Sequence, residues 1–338
     1  MEYYIEIDNV NKAKNDIDEI CRLQGYCNLT KRKFGSGGVG RFITKVVSVG
    51  KILLKLQKDD VLILQYPMKK FYKTACRLAR FKGAKVVTII HDLGAFRRKK
   101  LTPIQENKRL SLTDFLIVHN QTMREHLREH GFNGGIHNLE IFDYLSVEPV
   151  QPLRKPHMPW RVVYAGHLGH WRNEFLYKIG SCSPEWEMEL YGKGFEEEKN
   201  CCKRLRYHGF MPSDEFIAKV DGDFGLVWDG DSLDECTGAW GEYLKINNPH
   251  KTSFYIRAGI PVIVWSKAAM APFVKENNIG LVVDSIRDIE ASLAGISGND
   301  YARMRESVSI VGRRLSEGFY FKSGLESAME YLDKERQA

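Results

Sequence analysis

No stretch of this chain is apolar for long enough to cross a bilayer. The longest apolar run, Phe42 to Leu56, is broken by Lys45, Lys51 and Lys55, whereas a spanning helix needs about 20 apolar residues in succession. There is no basic leader followed by an apolar core, no internal repeat, no low-complexity tract and no heptad array. A cytoplasmic protein is expected, soluble or peripheral on the inner face of the cell membrane. The seven cysteines, Cys21, Cys27, Cys76, Cys182, Cys201, Cys202 and Cys236, are odd in number and form no C-x-x-C. The vicinal Cys201-Cys202 reads as two ordinary helix residues rather than a redox or ligand pair. Without a second His or Cys cluster at ligand spacing, no metal site is expected. The aromatic-plus-basic signatures of RNA recognition are missing too, so no nucleic-acid partner is expected.

What is present suits a two-domain enzyme. The chain has 338 residues, 43% of them hydrophobic and 28% charged, which exceeds the size at which one core usually stops growing and argues against disorder. Pro149, Pro152, Pro156 and Pro159 make the segment from Ser146 to Trp160 a poor helix and a poor central strand, and hence the expected linker. The expected domains are residues 1–150 and 151–318, with a last helix at 319–338 that can return to the first domain.

Charge is unevenly divided. Residues 1–150 hold 26 Lys plus Arg against 16 Asp plus Glu, and residues 151–338 hold 24 against 27. Much of the excess lies in Lys69, Lys70, Lys73, Arg77, Arg80 and Lys82 and in Arg97-Arg98-Lys99-Lys100. A basic face of this kind suits an anionic membrane surface, a diphosphate-bearing acceptor or nucleic acid, in each case by non-specific attraction. A solvated surface that happens to be basic fits as well.

The first half alternates as a doubly wound parallel sheet would. Tyr3 to Ile7 and Tyr26 to Leu29 read as strands flanking an amphipathic helix from Lys12 to Leu23, and a helix from Arg41 to Gln57 follows. Then come strand Val61 to Gln65, helix Phe71 to Phe81, strand Lys85 to Ile90, strand Phe115 to Val118 and helix Thr122 to Glu129. Continuous apolar strands such as Val86-Val87-Thr88-Ile89-Ile90 are what a sheet covered on both faces requires. Ligands of such sheets bind beyond the carboxyl ends of strands, where Gln65-Tyr66, His91-Asp92 and His119-Asn120 stand. The cluster Gly35-Ser36-Gly37-Gly38-Val39-Gly40 satisfies G-x-G-x-x-G. It lacks the acid expected some 20 residues on, where Lys55 and Leu56 lie, and is read as a loop and helix N-terminus.

The second half repeats the theme, with strands expected at Arg161 to Ala165, Glu187 to Tyr191, Tyr207 to Gly209, Phe224 to Trp228, Pro261 to Val264 and Gly280 to Val283. Its most informative stretch is Asn247-Asn248-Pro249-His250-Lys251-Thr252-Ser253, which leads into a helix ended by Gly259. The first N–H groups of a helix lack internal partners and meet the positive end of its dipole, so an anion can satisfy both. Lys251 adds a full charge, and Thr252 and Ser253 add hydroxyl donors. An ordinary capped helix is the competing interpretation.

The run from Phe224-Gly225-Leu226-Val227-Trp228-Asp229 through Tyr243-Leu244-Lys245, the Asn-Asn-Pro-His-Lys segment and Ala258-Gly259-Ile260-Pro261-Val262-Ile263-Val264 to Asn278-Ile279-Gly280 resembles the donor half of GT-B glycosyltransferases. Its likeness is to the glucosyltransferase 3-like and bacterial β-1,6-galactofuranosyltransferase group. The block Arg161 to Leu168 with Arg172 resembles the start of that family's C-terminal domain. The resemblance covers nearly the whole chain, strongly after Trp160 and more loosely before it. It implies two Rossmann-like doubly wound α/β domains facing a cleft.

It also implies transfer of a hexose (galactofuranose, galactose or glucose) from a UDP-sugar to a glycan of bacterial surface polysaccharide or glycoconjugate. The acceptor would be polyprenyl-diphosphate-linked, with a glycoprotein as second choice. Arg172 and Lys251 would bracket the diphosphate, so neither a metal nor another cofactor is expected. Asp229-Gly230-Asp231 formally matches a metal-binding D-x-D and keeps a minor metal-dependent route open. The implied donor-side residues are Gly38, Gly166, Arg172, Tyr191, Gly192, Trp228, Asp229, Asn248, Lys251, Thr252 and Ser253. Sugar transfer with inversion needs a base for the acceptor hydroxyl, for which Asp92 is the first candidate and His91 the second; a buried, hydrogen-bonded strand-end histidine fits His91 equally. A non-catalytic nucleotide-sugar-binding subunit is the alternative, and a homo-oligomer stays open.

Overall fold

A computed structural model describes residues 1–338 apart from 7–10, 31–32, 36, 69, 98–100, 150, 153, 183 and 338. Ile7, Ser36, Lys69 and Arg98-Lys99-Lys100 therefore lie outside the described residues. The chain forms two compact units, Met1–Asp143 with Gly318–Ala338, and Tyr144–Glu317.

The first unit contains strands β1 (Glu2–Tyr4), β2 (Cys27–Asn28), β3 (Val61–Tyr66), β4 (Lys85–Ile90), β5 (Phe115–Val118) and β6 (Gly135–Asn138). They pair in parallel in the order β2-β1-β3-β4-β5-β6. Val61 through Leu64 and Val86 through Ile90 are buried, as strands covered on both faces must be. The polar exception, Thr88, is satisfied by Tyr72 Oη at 3.1 Å and Thr113 Oγ1 at 3.0 Å.

Several elements of this unit differ from the sequence expectation. The helix expected at Arg41 to Gln57 runs Gly38–Lys55, beginning directly after the Gly37 cap. Strand β6 was not anticipated, because Gly134-Gly135 reads as a turn and Ile136 is the strand's one large apolar residue; pairing with β5 supplies the stabilisation that its own composition lacks. The helix Phe319–Gln337 belongs to this unit, with Tyr331 against Phe115 at 5.5 Å. Its start is capped by Asp143, which accepts from Tyr320 N at 3.2 Å and Phe321 N at 2.7 Å.

The second unit contains β7 (Arg161–His167), β8 (Glu187–Lys193), β9 (Leu205–Tyr207), β10 (Phe224–Val227), β11 (Val262–Trp265) and β12 (Gly280–Val283). Its order is β12-β11-β10-β7-β8-β9, again parallel. The order reverses between β7 and β10, which makes the carboxyl ends of these strands the place where a doubly wound sheet opens a crevice. Strand β9 ends two residues earlier than expected, because Gly209 takes a φ of 76° that extended backbone does not allow.

Candidate functional site

At the carboxyl ends of β7 and β8 the second unit holds a cavity of ≈ 580 Å³, within the usual range for ligand pockets. Gly166 and His167 from β7, Tyr191 and Gly192 from β8, and His250 and Lys251 from the helix His250–Arg257 line one part. Tyr144, Phe210, Met211 and Phe254 contribute an apolar wall.

Gly166 and Gly192 sit opposite each other in the register, with φ of 143° and 152°. A Cβ on Gly192 would fall 1.8 Å from the Gly166 carbonyl oxygen, so only hydrogen fits there. A Cβ on Gly166 would meet Lys251 Cε at 3.8 Å, an ordinary contact that shows how closely the lysine approaches this strand end.

Lys251 is the second residue of its helix, whose N-cap is Pro249 and carries no side-chain cap hydrogen bond. Proline fixes the backbone but has no side-chain acceptor, so the capping seen at Asn120 or Thr102 elsewhere in the chain is missing here. Lys251 Nζ lies 3.8 Å from the centroid of the Tyr164 ring, and no carboxylate pairs with it among the described residues. Burial pushes its pKa down to about 8, against the pull of Asp229 and with help from Arg172. An anion next to it would reverse that shift.

Arg172 stands close by in the same electrostatic group. Its guanidinium is 3.9 Å from the Trp240 ring centroid and 3.5 Å from Asp229 Oδ1, and its Nε has no hydrogen-bond partner. The contact with Asp229 is long for a charge-assisted bond, which leaves donors of the fork available to a ligand oxygen. Thr252 Oγ1 and Asn247 Oδ1 are likewise buried without a partner; such groups in a folded protein call for a specific explanation.

The remaining donor-side residues separate by burial. Tyr191 stacks on His208 at 4.6 Å and meets Phe216 edge-on at 5.2 Å, so its ring is a rigid part of the wall. Asn248, Thr252 and Ser253 are buried at the helix start. Trp228 does not line the cavity. It is fully buried, donates from Nε1 to Ser232 O at 3.0 Å, and its backbone oxygen accepts from Tyr164 Oη at 3.1 Å. Through its backbone oxygen Trp228 holds the Tyr164 ring beneath Lys251. Asp229 and Asp231 have separate partners, Arg172 and Thr237. Gly38 lies in the first unit, exposed in the first turn of its helix.

His91 and Asp92 follow β4 in that first unit. His91 is buried, stacked on Phe142 at 5.4 Å, with Nε2 2.7 Å from Gln65 Oε1. Gln65 Nε2 in turn donates to Asp18 Oδ1 at 2.6 Å and Lys14 O at 3.1 Å. The loop after them is pinned by Glu106, which accepts from Gly94 N at 2.7 Å, Ala95 N at 2.9 Å and Tyr66 Oη at 2.8 Å. Nearby His119, its Nε2 3.0 Å from Ile90 O, is held neutral by burial, its pKa lowered to about 4.

Sequence reasoning missed several of these groups. Glu106 sits on the helix Pro103–Leu110, announced by the Thr102 to Gln105 capping box and Pro103 at its first turn. Phe210 and Met211 follow β9, where the strand-end rule could have placed them. Among the described residues one cluster, His126, Glu129 and His130, brings ligand atoms within 4.8 Å of one another. Its H-x-x-E-H spacing on one helix was readable.

The comparisons agree across the whole chain. Residues 5–141 match the glucosyltransferase 3-like N-terminal domain and residues 162–328 its C-terminal domain. The chain is 33% identical over 299 residues to the β-1,6-galactofuranosyltransferase WbbI of Escherichia coli (strain K12), covering 88% of this chain and 87% of that one. It is 27% identical over 289 residues to glucosyltransferase 3 of Streptococcus gordonii, covering 83% of each. Among solved structures, the apo lipopolysaccharide outer core galactosyltransferase WaaB superposes with a TM-score of 0.62 at 12% identity, covering 98% of this chain and 99% of that one. Anabaena HepE in complex with UDP does so with 0.60 at 11%, with the same coverage. With both domains matched and a relative at one-third identity over most of its length, the chain belongs to the glucosyltransferase 3-like family of glycosyltransferases and has the GT-B fold.

Proposed function

We propose that this protein transfers a hexose from a UDP-sugar to a glycan acceptor of surface-polysaccharide or glycoconjugate synthesis, without a divalent metal. The observation that carries this reading is Lys251, a cation with no carboxylate partner among the described residues, set beside a helix start whose N-cap makes no side-chain cap and facing a cavity at the carboxyl ends of β7 and β8. The diphosphate would meet Lys251 and the first N–H groups of the helix, and Arg172 would turn its fork from Asp229 to a phosphate oxygen. The apolar wall of Tyr191, Phe210 and Phe254 suits the base and ribose.

The bond from the sugar's anomeric carbon to the UDP oxygen breaks as the acceptor oxygen bonds that carbon. Asp92 takes the acceptor hydroxyl proton. Negative charge grows on the departing diphosphate, and preorganised cations in a low-dielectric pocket stabilise it more than they would on a surface. The relatives' galactofuranosyl and glucosyl activities set the hexoses to assay, and a polyprenyl-diphosphate glycan is the acceptor that the basic first half favours.

Calorimetry with UDP tests the pocket. Binding by the wild type and its loss in Lys251→Ala are expected, and equal affinity in the two would remove Lys251 from the diphosphate site. Hydrolysis of UDP-galactofuranose, UDP-galactose and UDP-glucose, each with and without EDTA, identifies the sugar. Loss of turnover in EDTA would refute the metal-free mechanism.

A further inference from the structure

The helix Gly38–Lys55 buries one face and leaves an apolar one exposed. Thr44, Ser48, Val49 and Ile52 point inward. On the opposite side Val39, Phe42, Val46, Leu53 and Leu54 recur at helical spacing and are 75%, 52%, 45%, 40% and 82% exposed. A contiguous apolar stripe of that length on a soluble surface marks an interaction site.

Its charge says what it meets. The helix holds no acidic residue and exposes Arg41 and Lys55, whereas Lys51 is half-buried with its Nζ donating to Leu29 O at 2.8 Å. The next helix, Tyr72–Phe81, also has no acid and presents Lys73, Arg77 and Arg80 on its exposed face, with Phe81 at 81% exposure. The two helices are neighbours, joined where Phe42 and Phe71 approach to 5.6 Å. Apolar side chains flanked by cations alone are the pattern of a helix lying in a bilayer interface. A second copy fits poorly, since two such faces would set like charges against each other. No helix among the described residues is long and apolar enough to span a membrane, so the contact would be interfacial.

We propose that this face docks on an anionic lipid bilayer, with the stripe from Val39 to Leu54 in the headgroup–acyl boundary and the exposed cations Arg41, Lys55, Lys73, Arg77 and Arg80 over lipid phosphates. This goes beyond the donor chemistry and stands without it, because none of these side chains lines the cavity of the second unit.

Vesicle flotation of the full chain tests the proposal. Vesicles of phosphatidylcholine with about one part in three phosphatidylglycerol should carry the protein, pure phosphatidylcholine should not, and raised salt should release it. Val39→Asp with Leu54→Asp should weaken binding at least ~tenfold, as should Arg77→Glu with Arg80→Glu, which leaves the stripe intact. Far-UV circular dichroism and UDP affinity should stay as in the wild type, so that failure here is distinct from failure of the donor site. The proposal is overturned by no flotation of the wild type, by equal flotation with neutral vesicles, or by wild-type binding of both variants. Sedimentation showing a wild-type dimer that Leu54→Asp splits would also overturn it, by making the face a contact between copies.

Discussion

Nε2 of His91 stands 2.7 Å from Oε1 of Gln65. The amide nitrogen of Gln65 is already committed to Asp18 and to the Lys14 carbonyl, so its oxygen faces the imidazole and Nε2 must carry the hydrogen. One buried glutamine thus fixes the tautomer of a residue at the end of β4 and links it to a carboxylate. Gln65→Met should lower turnover by about tenfold or more with UDP affinity unchanged. It should also destabilise the fold by about 1–3 kcal/mol, through the Asp18 oxygen left without its donor. Steady-state kinetics and a thermal melt read both; unaltered turnover would make the His91 pairing purely structural.

Asp92→Asn keeps the size of the side chain and removes its basicity. Turnover should fall at least ~100-fold while UDP affinity stays nearly intact. Single-turnover assays with saturating donor check this, and wild-type rates would take Asp92 out of the chemistry.

Lys251 makes donor binding depend on pH with a definite sign. Its pKa in the free protein is about 8, and a neighbouring diphosphate must raise it, so binding takes up a proton between the free and bound values. Affinity for UDP should be highest below pH ~8 and fall by up to tenfold per unit above it. Lys251→Met should flatten that profile. Because the depressed pKa costs stability at neutral pH, a cost that fades as pH rises from about 8 toward the unfolded value, the same variant should melt at a higher temperature near pH 7. Calorimetry over a pH series, with a melt at each end, tests both halves.

The two cavity glycines should respond unequally. Gly192→Ala drives a methyl group into the Gly166 carbonyl at 1.8 Å, and separating β7 from β8 should cost on the order of 3 kcal/mol or abolish folding. Gly166→Ala meets no clash and suffers chiefly from its φ, at about 1–3 kcal/mol. Equal denaturation midpoints for the two variants would contradict this packing at the pocket rim.

Much of the architecture was readable because strands buried on both faces disclose themselves as unbroken apolar runs. Val61-Leu62-Ile63-Leu64 and Val262-Ile263-Val264 needed no tertiary information. The segment around Lys251 was readable for a related reason: Pro249 and Gly259 bound a short helix whatever surrounds it. The cavity's apolar wall was hidden, since Tyr144, Phe210 and Phe254 come from separate elements and converge only in the folded unit. The full burial of the Trp228 ring was hidden too, because sequence position near a strand end does not tell which way a side chain turns. The grouping of His126, Glu129 and His130 is written in the sequence itself, as H-x-x-E-H.

The helix Phe319–Gln337, held by Asp143 at its start and by Phe115 along its length, means that the first sheet's cover leaves the ribosome only after the whole second unit has been made. Until then β5 and β6 stay open on that side, and a nascent or truncated chain ending before residue 319 would present a greasy, half-dressed surface. Shortened versions cut at the apparent midpoint of the polypeptide should therefore precipitate, whereas a variant in which the second unit is deleted and this helix is linked directly behind Asp143 should give a first unit able to stand alone.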